Sequence, residues 1–103
     1  MAPRRRLADH PTGAQLRAAR GLLNLSLVQL AEQTGLALNT LKRAEAVNTF
    51  SPITPANAKL LVTLLTAGGV TFIPAGEGLG AGVRLTHEEQ PIQPRRRSPA
   101  SPS

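Results

Sequence analysis

The side chains best suited to chemistry lie in SLVQLAEQTGLALNTLKRAE, residues 26–45. A helix over about residues 38–45, turning roughly 100° per residue, puts Leu38, Asn39, Lys42 and Arg43 on one arc and Ala37, Leu41 and Ala44 on the opposite, inward one. The first arc has the chemistry of base recognition. Asn pairs in a bidentate way with adenine, Arg or Lys with guanine, and a Leu side chain packs on a thymine methyl. Thr40, beside them, adds a hydroxyl. An outward Lys-Arg pair is also what an ordinary solvated helix face carries, so the neighbouring elements must decide.

Those elements are legible from local signals. Ser26 with Gln29 forms a capping box that opens a helix, and Leu27, Leu30 and Ala31 then share a face. Gly35 adopts positive φ at little steric cost, which suits a helix end and a sharp reversal. The next helix starts almost at once, so the segment reads as a helix-turn-helix. Upstream, Thr12 with Gln15 forms a second capping box, Leu16, Ala19 and Leu23 mark a buried stripe, and Arg17 points away from it. Downstream, a polar loop over residues 47–53 carries Phe50, read as a lid on the core with a contact to DNA or a partner as the alternative. Thr54-Pro55 starts a further helix with Pro in its first position, and Leu60, Leu61, Leu64 and Leu65 are its expected core face.

With these residues in view, residues 12–67 resemble the XRE family, the phage lambda repressor and Cro type of helix-turn-helix domain. The resemblance rests on Arg20, the LAEQTGL segment from Leu30 to Leu36, the TLKRAE segment from Thr40 to Glu45 and the later Leu-rich helix. It implies a mainly α, four- to five-helix DNA-binding domain and a partly buried ion pair between Arg20 and Glu45. The implied function is a sequence-specific double-stranded DNA-binding transcriptional regulator, with repression the expected direction. Its recognition helix would read bases through Leu38, Asn39, Thr40, Lys42 and Arg43. Phosphate contacts are expected from Arg17, the helix start at Ser26, and Asn48 and Thr49 in the following loop. Two residues depart from the family pattern. Leu27 stands where many relatives carry a DNA-contacting Gln, and Ala37 replaces a Ser or Thr cap, a loss of about 1 kcal/mol.

Composition bounds the alternatives. The 103 residues allow one small domain, and the only aromatic rings of Phe, Tyr or Trp type are Phe50 and Phe72, so stacking on single-stranded bases is poorly provided for. The net charge is +6, and Arg4, Arg5, Arg6, Arg95, Arg96 and Arg97 supply half of the 12 Lys and Arg. The expected organisation is a flexible basic arm over 1–11, the DNA-binding domain over 12–67, a β-hairpin over 68–86 and a disordered Pro-, Ser- and Arg-rich tail over 87–103. Basic arms strengthen binding to duplex DNA by counterion release and enter the minor groove; the tail reads equally well as a solubilising segment. The absence of cysteine fits a reducing cytoplasm. No apolar run has the length of a membrane span, and MAPRRR is not followed by the apolar region of a signal peptide. A cytoplasmic, nucleoid-associated location follows.

The hairpin is read from VTFIP and AGVRL flanking the run AGEGLG. An isolated hairpin is marginal in water, so Val70, Phe72, Val83 and Leu85 must pack on the helices or on a second copy. A homodimer through residues 70–85 is the expected assembly. Gly76, Gly78 and Ala81 formally fit a dinucleotide fingerprint, but that motif needs a helix after it, where GVRL reads as a strand. His10 and His87 lack ligand-spaced partners, so no metal, cofactor or enzymatic activity is expected. Two other functions remain open: an antitoxin-like module that binds a protein partner, and a non-specific nucleoid-associated DNA binder.

Overall fold

The computed structural model describes residues 10–88. In chain order these residues form α1 (Gly13–Leu22), α2 (Leu27–Thr34), α3 (Leu38–Glu45), α4 (Pro55–Ala67), β1 (Val70–Ile73) and β2 (Gly82–Leu85). Four helices are present among the described residues, with no fifth in the 46–54 connection. The fold is mainly α with a two-stranded antiparallel hairpin. The basic arm through residue 9 and the tail from residue 89, with Arg4, Arg5, Arg6, Arg95, Arg96 and Arg97, lie outside the described residues.

Local hydrogen bonds start three of the helices. Thr12 Oγ1 accepts from the Gln15 amide at 3.0 Å while Gln15 Oε1 accepts from the Thr12 amide at 2.9 Å. Ser26 and Gln29 repeat the exchange at 3.0 and 2.8 Å. Thr54 Oγ1 accepts from the Asn57 amide at 3.1 Å, with Pro55 in the first turn where its missing N–H costs nothing. Helix α2 stops at Gly35, which has a φ of 79°. The Thr34 hydroxyl donates to the Leu30 carbonyl at 2.8 Å and accepts from the Leu36 amide at 3.2 Å, so it braces the reversal from inside. Helix α3 has no side-chain cap at Ala37.

The buried core joins Leu16 and Ala19 of α1, Leu30 of α2, Leu41 and Ala44 of α3, Leu61 and Leu65 of α4, and Val70 of β1. Every helix contributes, and each fully buried Leu is worth about 1.5–3 kcal/mol relative to exposure. Three expectations need correction. Ala37 is exposed rather than inward, because it caps α3 from outside the helix. Leu60 is 38% exposed while Ala58 is buried, so the inner face of α4 follows Ala58, Leu61 and Leu65. Phe50 is 50% exposed and meets the His10 ring edge-on at 6.2 Å, so it does not close the core.

The hairpin pairs Val70 with Leu85 through Ile73 with Gly82. Its tip is closed by reciprocal backbone bonds between Gly76 and Leu79 of 2.9 and 2.8 Å. Glu77 and Gly78 both have positive φ, 52° and 81°, as a type I′ turn requires. The glycine run is therefore a strand reversal. Val70 is buried, Phe72 and Val83 pack against the helical core, and Leu85 is half-buried. The hairpin's apolar face thus lies on its own helices. Gln15 fixes this docking: its side-chain Nε2 donates to the carbonyls of Ile73 at 3.1 Å and Gly82 at 2.9 Å while its Oε1 caps α1.

The connection after α3 closes against the start of α1. The Gly13 amide donates to the Thr49 carbonyl at 3.0 Å, the Ser51 amide to Pro11 at 3.0 Å, and the buried Ser51 hydroxyl to the Ala44 carbonyl at 2.8 Å. The His10 Nε2–H adds a bond to the Ser51 carbonyl at 2.9 Å. A Cβ on Gly13 would lie 2.2 Å from the Val47 carbonyl oxygen and 2.7 Å from that of Ala44, so no larger residue fits without moving the loop. Gly21 in the same helix has nothing within 4 Å of its Cβ position. Gly13→Ala should therefore destabilise by about 1–3 kcal/mol in urea unfolding. Gly21→Ala should stabilise by about 0.5–1 kcal/mol through helix propensity and the restricted unfolded chain. Equal responses at the two positions would refute the close approach at Gly13.

Candidate nucleic-acid interface

Helix α3 is two-sided. Leu41, Ala44 and Glu45 are buried, whereas Asn39, Lys42 and Arg43 are exposed and their side chains make no hydrogen bond or ion pair among the described residues. Leu38 and Thr40 are half-buried at the margins of that face. The five candidate base-reading side chains thus belong to one short helix, three of them fully presented and two partly covered.

The buried side of α3 is held from α1 by charge. Arg20 Nε and Nη2 donate to the two carboxylate oxygens of Glu45 at 2.8 and 2.9 Å, and Arg20 Nη1 donates to the Leu25 carbonyl at 2.9 Å. The Glu45 side chain is 7% exposed and that of Arg20 21%. The hydrogen bonds to Glu45 raise the Arg20 pKa above its ordinary value, burial opposes the rise, and the Glu45 charge adds to it. A raised arginine pKa stabilises the fold at every pH below the ordinary arginine value, and this contribution fades only as pH climbs through the raised one. Arg20 therefore keeps its charge through the neutral range. Because Glu45 is matched internally, it does not offset Lys42 or Arg43 on the outer face.

Arg17, one turn before Arg20, is also engaged with the protein. Its Nη1 donates to the Glu45 backbone carbonyl, and its Nη2 donates to Asn48 Oδ1 at 2.9 Å. Two of the expected phosphate contacts, Arg17 and Asn48, are thus bonded to each other. Ser26 is exposed with its hydroxyl accepting from Gln29, and Thr49 is exposed with its carbonyl accepting from Gly13. Leu27 is half-buried against the core, so it faces inward rather than replacing a polar contact. Sequence reasoning missed the Arg17–Asn48 bond because nothing local links residues 31 positions apart.

Among the described residues no group of three or more His, Cys, Asp or Glu side chains converges, and no helix is long and apolar enough to cross a membrane.

The Arg20–Glu45 pair yields a stability prediction. Arg20→Ala strands a nearly buried carboxylate and should cost about 3 kcal/mol in urea unfolding, the lower end of the range for broken buried pairs because Arg20 retains some solvent. A loss below about 1 kcal/mol would place the pair with ordinary surface ion pairs. Comparison with family models, with curated proteins and with solved structures finds no match for this chain.

Proposed function

We propose that this chain is a sequence-specific double-stranded DNA-binding regulator of transcription, of lambda-repressor-like helix-turn-helix type and acting as a repressor. In this reading α3 enters the major groove, with Asn39, Lys42 and Arg43 addressing base edges and Leu38 and Thr40 supporting them. One observation carries the proposal. A short helix follows a Gly35 reversal, is locked on one side by Leu41, Ala44 and the Arg20–Glu45 pair, and leaves the Asn39, Lys42 and Arg43 side chains without partners among the described residues on the other. A solvated helix needs no such clamp. A rigid reading head does, because base discrimination depends on holding donors and acceptors in register.

The start of α2 at Ser26 and the loop at Asn48 and Thr49 supply backbone contacts in this reading, and the arginines at 4–6 add counterion release. The protein acts in the cytoplasm at the nucleoid. A homodimer would place two copies of α3 on half-sites one helical turn apart. Since the inner face of the hairpin is occupied, a contact through residues 70–85 would use strand edges together with exposed Ile73 and Leu79.

Selection from a random duplex pool by the purified protein at physiological salt tests the proposal, with a recovered motif as the expected result. Binding without a motif would favour a non-specific chromosome binder, and no binding would favour a module for a protein partner. On the recovered duplex, Arg43→Ala should relax preference at one base position at a cost of about 1–3 kcal/mol. An equal loss on every sequence would make Arg43 a phosphate contact. A light-scattering mass of two chains at micromolar concentration is the expected assembly, and a monomer mass would remove the dimer.

A further inference from the structure

Arg17 and Arg20 lie three residues apart on α1 and so share a face of that helix. Together they grip one residue of α3 at both of its polar ends. Arg20 takes the Glu45 carboxylate, and Arg17 takes the Glu45 backbone carbonyl. That carbonyl is one of the orphan acceptors at the end of α3, where a guanidinium also meets the negative end of the helix dipole. The second arm of Arg17 reaches Asn48, three residues beyond the helix.

The donor inventory fixes the orientation of Asn48. A guanidinium only donates, so Asn48 must offer it the amide oxygen, and its NH₂ group then points away from Arg17. Asn48 is exposed, and its two N–H groups have no partner among the described residues. Arg17, by contrast, has each of its terminal nitrogens already bonded to the protein, which fixes the plane of its guanidinium.

From this geometry we infer that Arg17 is a positioning residue for the DNA-reading face: it fixes the end of α3 and turns the Asn48 amide outward as the phosphate donor, without contacting DNA itself. The inference rests on the DNA-binding proposal above and reassigns one of its expected contacts.

The test uses the full-length protein and the duplex it selects, with affinity measured across a range of salt concentrations. Arg17→Ala should weaken binding about tenfold by the same factor at every salt concentration, because no ionic contact is lost. Arg17→Lys should bind as weakly as the alanine variant: the charge is kept, but a single ammonium cannot reproduce the planar fork. It also remains a good helix former, which supplies a folded comparison. Asn48→Ala should lose a similar factor with an unchanged salt slope. A salt slope shallower by about one in Arg17→Ala, or recovery of affinity in Arg17→Lys, would overturn the inference while leaving the DNA-binding proposal standing. Failure of the unaltered protein to select or bind any duplex would overturn both.

Discussion

The structure depends on pairing a carboxylate where little water reaches it. Glu45 is almost fully covered at the end of α3, and desolvation of an unpaired carboxylate there would cost several kcal/mol. Arg20 offsets that cost with a two-pronged bond, and its third nitrogen secures the chain at Leu25. The net stability of such a pair is small compared with an apolar replacement, so its physical value lies in geometry. With eight residues and no side-chain cap, α3 is too short to persist alone. Its position has to be imposed from outside, by Leu41 and Ala44 in the core and by the two arginines at its end.

Helix α1 is the common support for this arrangement. Its first turn gives up a side chain at Gly13 so that the 47–49 backbone can lie against it. Two residues later Gln15 caps the helix and holds both strands of the hairpin. Leu16 and Ala19 enter the core, and Arg17 and Arg20 close on Glu45. Ten residues thus contact the loop, the hairpin, the core and the end of α3. Gly13 thus ties the start of α1 to the loop that follows α3, while Gln15 ties it to the hairpin.

The parts legible in the sequence are those whose signals are local. Capping boxes span four residues, a glycine at a helix end announces itself, and the residues flanking AGEGLG read as strands, so the capped helix starts, the Gly35 reversal and the hairpin follow from neighbours alone. The misread positions depend on partners far along the chain. Leu60 outranks Ala58 in hydrophobicity and LL-xx-LL offers two overlapping faces, so hydrophobicity alone points to Leu60, and only the neighbouring elements select Ala58, Leu61 and Leu65. Phe50 suggested a lid by its size, yet the backbone bonds of the loop to residues 11–13 leave its ring beside His10 and half in water. Arg17 read as a free cation because its acceptors lie 28 and 31 residues away.

Arg17 also changes how the charge of the chain should be weighed. Of the six Lys and Arg between residues 10 and 88, Arg17 and Arg20 are bonded to the protein, which leaves Lys42, Arg43, Lys59 and Arg84 without ion pairs among the described residues. Only Lys42 and Arg43 belong to the presented face of α3. Each neutralised phosphate steepens the salt dependence of duplex binding by about 0.9 in the logarithmic slope. Two cations on α3 therefore account for a slope of at most about two, and for less where they address base edges rather than phosphates. Any steeper dependence has to draw on Lys59, Arg84 or the six arginines at 4–6 and 95–97, which hold half of the basic residues. Under the proposed function the slope separates the two tasks: the face of α3 would contribute discrimination with few charges, and charge elsewhere would contribute affinity with little discrimination.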